Sequence, residues 1–298
     1  MKKAIFYLFM LLPILVVSCG AKKSPKFDKE EAFSYLNKQC EFGTREPGSE
    51  GIKLCREYIK DNLMKYNAVV KEQKFTAKIR GEEIQGVNIL ASFNPRLSRR
   101  ILLGAHYDTR PWADKDKNPD VHNKPIPGAN DGASGVAVLL EIAKIISQKE
   151  PEEIGVDLVF FDLEDSGSYD DDKSWCKGSQ FFAENYSEDE PEAAIIIDMI
   201  GDKDLHIPME YFSYHNSPVL TSDIWKIADN LGFKSFQNKI GVPIYDDHYP
   251  LLENGFNVID IIDMDYKYWH TLQDLPKNCS SESLYEVGQT LINYIYSK

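Results

Sequence analysis

Three short apolar runs constrain the fold of this chain more than any other feature: Ile101–Ala105, Val156–Phe161 (broken only by Asp157) and Ala193–Ile197. Runs of this length without regular polar alternation suit strands covered by helices on both faces. The residues just beyond each run are as informative as the run itself. The first leads into His106-Tyr-Asp108, the second into Asp162-Leu-Glu164-Asp165 and the third into Asp198. A fourth strand, Asn257–Ile262, is followed after a loop by Trp269-His270. Ligands of open α/β sheets bind beyond the carboxyl ends of the strands. Four strands therefore bring carboxylates and imidazoles to one rim, which is the pattern of a metal site.

Helical periodicity fills the gaps. Phe33, Leu36 and Cys40 share a face that stops at Gly43. Ser49 caps a second helix carrying Ile52, Cys55, Ile59 and Leu63. Further helices are expected over Ser134–Ser147, Pro218–Leu231 and from Leu284 to Ile295, with strands near Val69–Phe75 and Ile84–Phe93. This alternation predicts a three-layer α/β/α domain with a mixed sheet. The chain has 298 residues, 43% of them hydrophobic, with no Gly/Ser-rich linker and no internal repeat, so one catalytic domain over 31–298 is expected.

The N-terminus carries different information. Met1-Lys-Lys precedes an apolar run, Ala4–Val17, which is too short for a membrane span of about 20 residues. Residues 1–18 read as a signal peptide, and Val16-Val17-Ser18-Cys19 resembles a bacterial lipobox. Cys19 is then the lipidated first residue, residues 19–30 a tether, and the cell envelope the location, facing the periplasm. Four other cysteines remain, Cys40, Cys55, Cys176 and Cys279. Their spacing matches no structural zinc motif, and a Cys40–Cys55 bridge is one of the open pairings. With 47 Asp+Glu against 34 Lys+Arg, the chain lacks the basic face that nucleic acid demands. A monomer is expected.

Zinc takes carboxylate oxygen and imidazole nitrogen, and catalytic sites use three protein ligands with one open position. Asp131 sits in Pro127-Gly-Ala-Asn-Asp131-Gly-Ala-Ser-Gly135, a small-residue turn into a helix. Alone it reads equally as a helix cap. Joined to Asp165 and His270 at the other strand ends, it reads as a ligand. Of the adjacent pair Glu164-Asp165, one carboxylate can bind metal while the other works as acid and base.

His106-Tyr-Asp108-Thr, Gly128-Ala-Asn-Asp131-Gly-Ala-Ser-Gly135, Phe161-Asp-Leu-Glu164-Asp165, Asp198 and His270 occur in the order of the zinc aminopeptidases. Within that superfamily the chain resembles the animal-type glutaminyl-peptide cyclotransferases. The added marks are Arg45-Glu-Pro-Gly-Ser49, Tyr245-Asp246-Asp-His-Tyr-Pro-Leu251 and Trp269-His270-Thr271. The resemblance runs from about Phe33 to the C-terminus. It implies a zinc-exopeptidase fold with a mostly parallel sheet, and an acyltransferase that converts the N-terminal glutamine of peptides to pyroglutamate. It also implies one zinc on Asp131, Asp165 and His270, with Glu164 moving the proton. Asp198 would orient the amide, supported by Asp246 through a carboxylic acid–carboxylate hydrogen bond, and Trp269 and Trp175 would wall the substrate pocket. Asp165 stands where the animal enzymes carry glutamate, and Asp260 where a network histidine is expected. The alternative is a two-zinc aminopeptidase. There Asp131 bridges the metals, His106 and Asp198 hold the second one, and Glu164 deprotonates water. A third reading, a non-catalytic binding lipoprotein, has little support, because every proposed ligand is intact.

Overall fold

A hairpin opens the sheet. Strands β1 (Val69–Ile79) and β2 (Glu82–Phe93) pair antiparallel across Arg80-Gly81, both with positive φ, as a two-residue hairpin turn requires. β2 then pairs antiparallel with β4 (Gly155–Phe161), and from there the sheet is parallel. β4 lies beside β3 (Arg100–His106), β3 beside β5 (Ala193–Asp198), and β5 beside β8 (Val258–Ile262). The order β1-β2-β4-β3-β5-β8 is therefore mixed and mostly parallel, and the carboxyl ends of the four parallel strands share one rim. This is the computed structural model of the chain, and it describes residues 24–188 and 190–298.

Burial explains the apolar runs. Ile101, Leu103, Ala105, Leu158, Phe160, Ile195 and Ile197 pack on one face, under α1 (Lys29–Glu41), α3 (Ala133–Gln148), α6 (Pro218–Leu231) and α8 (Ser281–Ile295). The intervening Leu102, Val159, Phe161, Ala194 and Ile196 face the other way. There they meet Phe182 of α4 (Lys177–Glu184) and Leu251 of α7 (His248–Glu253). Alternate residues of each strand thus serve two cores, which is why the runs are apolar on both faces. Helix α2 (Glu50–Lys65) is capped by the Ser49 hydroxyl, which accepts from the Ile52 N–H at 3.1 Å, as its sequence implies.

Several expectations change. The signal segment 1–18 and Cys19 lie outside the described residues. The tether expected to run to Glu30 ends earlier. Phe27 is buried against α8, its N–H donates to Gln289 Oε1 at 2.9 Å, and Asp28 caps α1 from Lys29 onward. Residues 27–30 are therefore part of the folded domain. Cys40, Cys55, Cys176 and Cys279 are all free thiols, so the Cys40–Cys55 bridge is not formed. A small parallel pair, β6 (Ile207–Met209) with β7 (Phe236–Ile240), and the short helix α5 (Tyr211–Asn216) add to the expected elements. No helix among the described residues is long and apolar enough to cross a membrane.

Candidate metal centre

The rim is built by backbone before any ligand side chain is placed. The Asp108 carboxylate, just beyond β3, accepts from the N–H groups of Glu164 at 3.1 Å and Asp165 at 3.2 Å. This fixes the turn after β4. Asp274 does the same for the Gly-rich turn, accepting from Asn130 N–H at 2.8 Å, Asp131 N–H at 3.1 Å and the Tyr266 hydroxyl at 2.7 Å. The buried Arg45 guanidinium donates to the carbonyls of Tyr107, Pro127 and Gly128, closing that turn from below. Gly128 has φ +64°, and a Cβ there would lie 2.4 Å from the Asp131 carbonyl oxygen, so only glycine fits. Asp131 is not a helix cap: Gly132 occupies that position and no side chain caps α3.

Four non-glycine residues around the rim adopt left-handed backbone: Leu163, Cys176, Met199 and His270. Such conformations cost energy and persist where the surroundings impose them. Leu163 precedes the Glu164-Asp165 pair, Met199 follows Asp198, and His270 is itself a candidate ligand.

Asp131, Asp165 and His270 converge, all buried. His270 Nε2 lies 3.1 Å from Asp165 Oδ1 and 3.6 Å from Asp131 Oδ2. Tetrahedral zinc with ligands at about 2.0–2.1 Å would separate its donor atoms by about 3.3 Å, and the spacing fits. The hydrogen-bond inventory fits as well. Asp131 Oδ2 and both Asp165 carboxylate oxygens are buried without a hydrogen-bond partner, a cost that a bound cation would offset. Burial and the neighbouring Asp131 charge push the Asp165 carboxyl up, against the pull of His270. Burial would likewise lift Asp131, but the hydrogen bond and charge of His106 outweigh it and hold that carboxyl low.

The outer nitrogen of His270 is braced, as ligating histidines require. The Tyr169 hydroxyl lies 2.8 Å from Nδ1 and Asp114 Oδ1 3.6 Å from it, and Arg110 anchors Asp114 with Nε and Nη2 donating to its two carboxylate oxygens. Arg110 also lies over the Trp175 ring at 4.5 Å and donates to the Asp165 carbonyl.

A second cluster shares Asp131. His106 Nε2 is 3.2 Å from Asp131 Oδ1 and 3.1 Å from Asp198 Oδ1. Asp198 also accepts from the Met199 N–H, and burial lifts its carboxyl to about 7 despite His106. Glu164 stands between the clusters, with Oε2 4.0 Å from His106 Nδ1 and Oε1 accepting from the Cys176 thiol at 3.3 Å. Burial raises its carboxyl well above the usual range, and the charges of Asp165, Asp246 and Asp247 add to that against His106.

Asp246 faces the same cavity, near Glu164 and Cys176. Asp246 also lies close to His248 and Asp260, with ligand atoms within 4.8 Å of one another, while Asp198 contacts His106 and accepts from the Met199 N–H. Behind Asp260 lies His248, with Nδ1 3.3 Å from Asp260 Oδ2 and Nε2 3.3 Å from Glu210 Oε2. The histidine sought on the strand therefore comes from α7. No sequence signal joins Glu210, His248 and Asp260, because three separate elements carry them.

Trp269, Trp175 and Tyr169 ring the mouth of a cavity of about 440 Å³ whose floor is Asp131, Glu164 and Asp165. The Trp269 and His270 rings are 4.1 Å apart, and Trp175 stacks over His270 at 6.0 Å and 14°. Trp175, which rested on resemblance alone, belongs to this wall.

Fold and rim together define a zinc-exopeptidase-type α/β enzyme, with a candidate metal site at the carboxyl ends of the parallel strands. The chain belongs to peptidase family M28, which residues 88–295 match. It is similar to a glutaminyl cyclase from Bacteroides thetaiotaomicron solved with N-acetylhistamine, at 34% identity over 93% of this chain and 100% of that one, TM-score 0.90. A structure described as a leucine aminopeptidase precursor from the same organism is 35% identical, covering 93% and 99%, with TM-score 0.89. The glutaminyl-peptide cyclotransferase of Boiga dendrophila is 23% identical over 282 residues, 83% of this chain and 75% of that protein.

Proposed function

We propose that this protein is a glutaminyl-peptide cyclotransferase that closes the N-terminal glutamine of peptides to pyroglutamate and releases ammonia, using one zinc held by Asp131, Asp165 and His270. The observation that carries the reading is the set of three carboxyl groups facing one aromatic-walled cavity: Glu164, Asp198 and Asp246. A primary carboxamide presents two N–H donors and leaves as ammonia, so it needs acceptor oxygens and a proton carrier. A pocket for an aliphatic side chain needs neither.

When bound, zinc supplies Lewis acidity that polarises the γ-carbonyl. Trp269 and Trp175 wall the space through which the glutamine side chain reaches inward. Asp198 and Asp246 accept from the carboxamide N–H groups. Glu164 takes a proton as the substrate's own α-amine forms its bond to the γ-carbon, and returns it to the departing nitrogen as the carbon–nitrogen bond of the amide breaks. The raised carboxyl of Glu164 suits a group that must both accept and give back a proton. The nucleophile belongs to the same residue as the electrophile, which gives ring closure a large effective-concentration advantage.

The second reading is a two-metal aminopeptidase, favoured by the histidine facing each oxygen of Asp131. Zinc count and product separate the two. Ammonia release from glutaminyl-alanine amide should exceed leucine release from leucyl peptides; leucine release without pyroglutamyl product overturns the cyclase reading. We also propose export and lipid anchoring at Cys19, supported by Met1-Lys-Lys, the apolar run and Val16-Val-Ser-Cys19. A mass spectrum of the mature N-terminus without acyl modification at Cys19 would overturn it.

A further inference from the structure

The carboxyl groups of Glu164 and Asp246 have a third companion that the chemistry above does not use, the thiol of Cys176. Cys176 precedes α4 in left-handed backbone, and its N–H donates to the Glu164 carbonyl at 2.9 Å. The next N–H, of Lys177, donates to the Leu163 carbonyl at 3.0 Å. Two backbone hydrogen bonds thus fix Sγ beside the Glu164 side chain, 3.3 Å from Oε1. Asp246, just before α7, brings an oxygen within 4.8 Å of both groups, and it also has His248 and Asp260 within reach. All three side chains are buried, and Asp246 Oδ2 has no hydrogen-bond partner although only 4% of the residue is exposed. Around Glu164 the charges of Asp165, Asp246 and Asp247 outnumber that of His106, so the cluster attracts a cation. Zinc bonds thiolate sulfur at about 2.3 Å and carboxylate oxygen at about 2.0–2.2 Å, which sets them about 3.5 Å apart in a tetrahedral site. The observed 3.3 Å fits.

We propose that Glu164, Cys176 and Asp246 form a second, inhibitory zinc site in the cavity wall, filled when zinc exceeds the ion held by Asp131, Asp165 and His270. Glu164 and Asp246 line the cavity, so an ion enters from the mouth and keeps its fourth position for water. Burial and the charges of Glu164, Asp247 and Asp246 push the thiol well above its ordinary range. A bound dication reverses that balance, and the thiol proton leaves to solvent with any proton on Glu164. That cost ranks the site second, as does one oxygen without a hydrogen bond here against three on the His270 side. An ion at this point holds the carboxyl that carries the proton and one that accepts from the carboxamide, so turnover stops while the first zinc stays in place. Binding is independent of the substrate; the inhibition rests on the role given to Glu164 above.

Cobalt(II) is the probe, because a cysteine ligand gives it a thiolate-to-metal charge-transfer band that Asp131, Asp165 and His270 cannot supply. Protein carrying one equivalent of zinc should gain that band on adding cobalt and lose it as further zinc is titrated in. Ammonia release from glutaminyl-alanine amide should fall over the same zinc range. Cys176→Ser should show no band, and half-inhibition should need at least the roughly 10–100-fold more zinc that losing even an outer partner of a ligand costs. Asp246→Asn keeps the thiol and should weaken cobalt binding read from the same band, which decides the matter should Cys176→Ser fail to fold. No band in the wild-type protein, a band that survives Cys176→Ser, or unchanged cobalt affinity in Asp246→Asn overturns the site. Equal zinc inhibition of the wild type and Cys176→Ser overturns its inhibitory role. Failure of glutaminyl-alanine amide to release ammonia with one zinc bound overturns the cyclase reading instead, and the cobalt band still decides the site.

Discussion

The two histidine–carboxylate clusters that share Asp131 differ in how complete they are. On the His106 side, Nε2 sits within hydrogen-bond range of Asp198, and Asp198 also accepts from the Met199 N–H. On the His270 side, both oxygens of Asp165 and Oδ2 of Asp131 are buried without a hydrogen-bond partner. Both clusters have metal-like spacing, but the carboxylate oxygens without a hydrogen bond fall on the His270 side, where Asp165 Oδ1 has only His270 Nε2 at 3.1 Å and Arg110 Nη1 at 3.5 Å beside it. Spacing says where a cation can sit; oxygens without hydrogen bonds at that spacing say where one would be most favourable.

The sharpest way to break this contrast is to delete one ligand from each side. Asp165→Ala should abolish turnover and drop bound zinc to near background, because the remaining two ligands fall short of the three a catalytic site uses. His106→Ala should keep zinc. Elemental analysis of both variants after dialysis decides it, and zinc loss from His106→Ala would favour the two-metal arrangement.

Glu164 lies between the clusters and belongs to neither as a ligand. Glu164→Gln should retain zinc and fold while reducing kcat by on the order of 10²–10⁴. Steady-state rates at saturating substrate beside a thermal melt check this, and near-normal turnover would remove Glu164 from the reaction.

A smaller effect probes the brace behind His270. Asp114→Asn removes a carboxylate at 3.6 Å from Nδ1 and loosens Arg110. Zinc affinity should weaken by about 10–100-fold, read by competition with a chelator. An unchanged affinity would leave the Tyr169 hydroxyl as the operative partner.

These residues differ in how readable they were. Asp131, Asp165, Asp198 and His106 were legible because each lies within a few residues of a strand end or helix start, and burial on both faces makes such strands conspicuous in a sequence. Helix α6 was legible to the residue, since Pro218 starts it and Gly232 ends it in a left-handed cap. Strands β6 and β7 were not, being short, half exposed and interrupted by Pro208. Asp114 and Tyr169 give no local signal either: they sit on loops whose path is set by the ligands they brace. Asp260 looked like the loss of a network histidine, and only the packing of α7 on β8 reveals His248 in its place.

The smallest effect comes from a buried carboxylate that has an unanswered oxygen but no histidine beside it. Glu141 on α3 has a buried Oε2 without a hydrogen-bond partner and Lys144 at 3.5 Å, and burial lifts its carboxyl from 4.5 to about 7. A folded-state value above the unfolded one means that stability is full below about pH 4.5 and is lost as pH rises through 7. Glu141→Gln should therefore stabilise the protein at pH 8 by on the order of 1–3 kcal/mol and much less at pH 5. Denaturant midpoints at the two pH values measure it, and an equal shift at both would assign the effect to packing.

The grip of Arg45 on the Gly128 turn has a practical corollary. The segment matching family M28 begins at residue 88, inside β2, and so excludes Arg45, both N-terminal helices and all of β1. A fragment cut at that boundary would keep every ligand and lose the strut that holds Asp131 to its neighbours. Anyone trimming this enzyme for crystallisation or display should treat the stretch from Phe27 to Phe93 as part of the catalytic unit, although it supplies no ligand of its own.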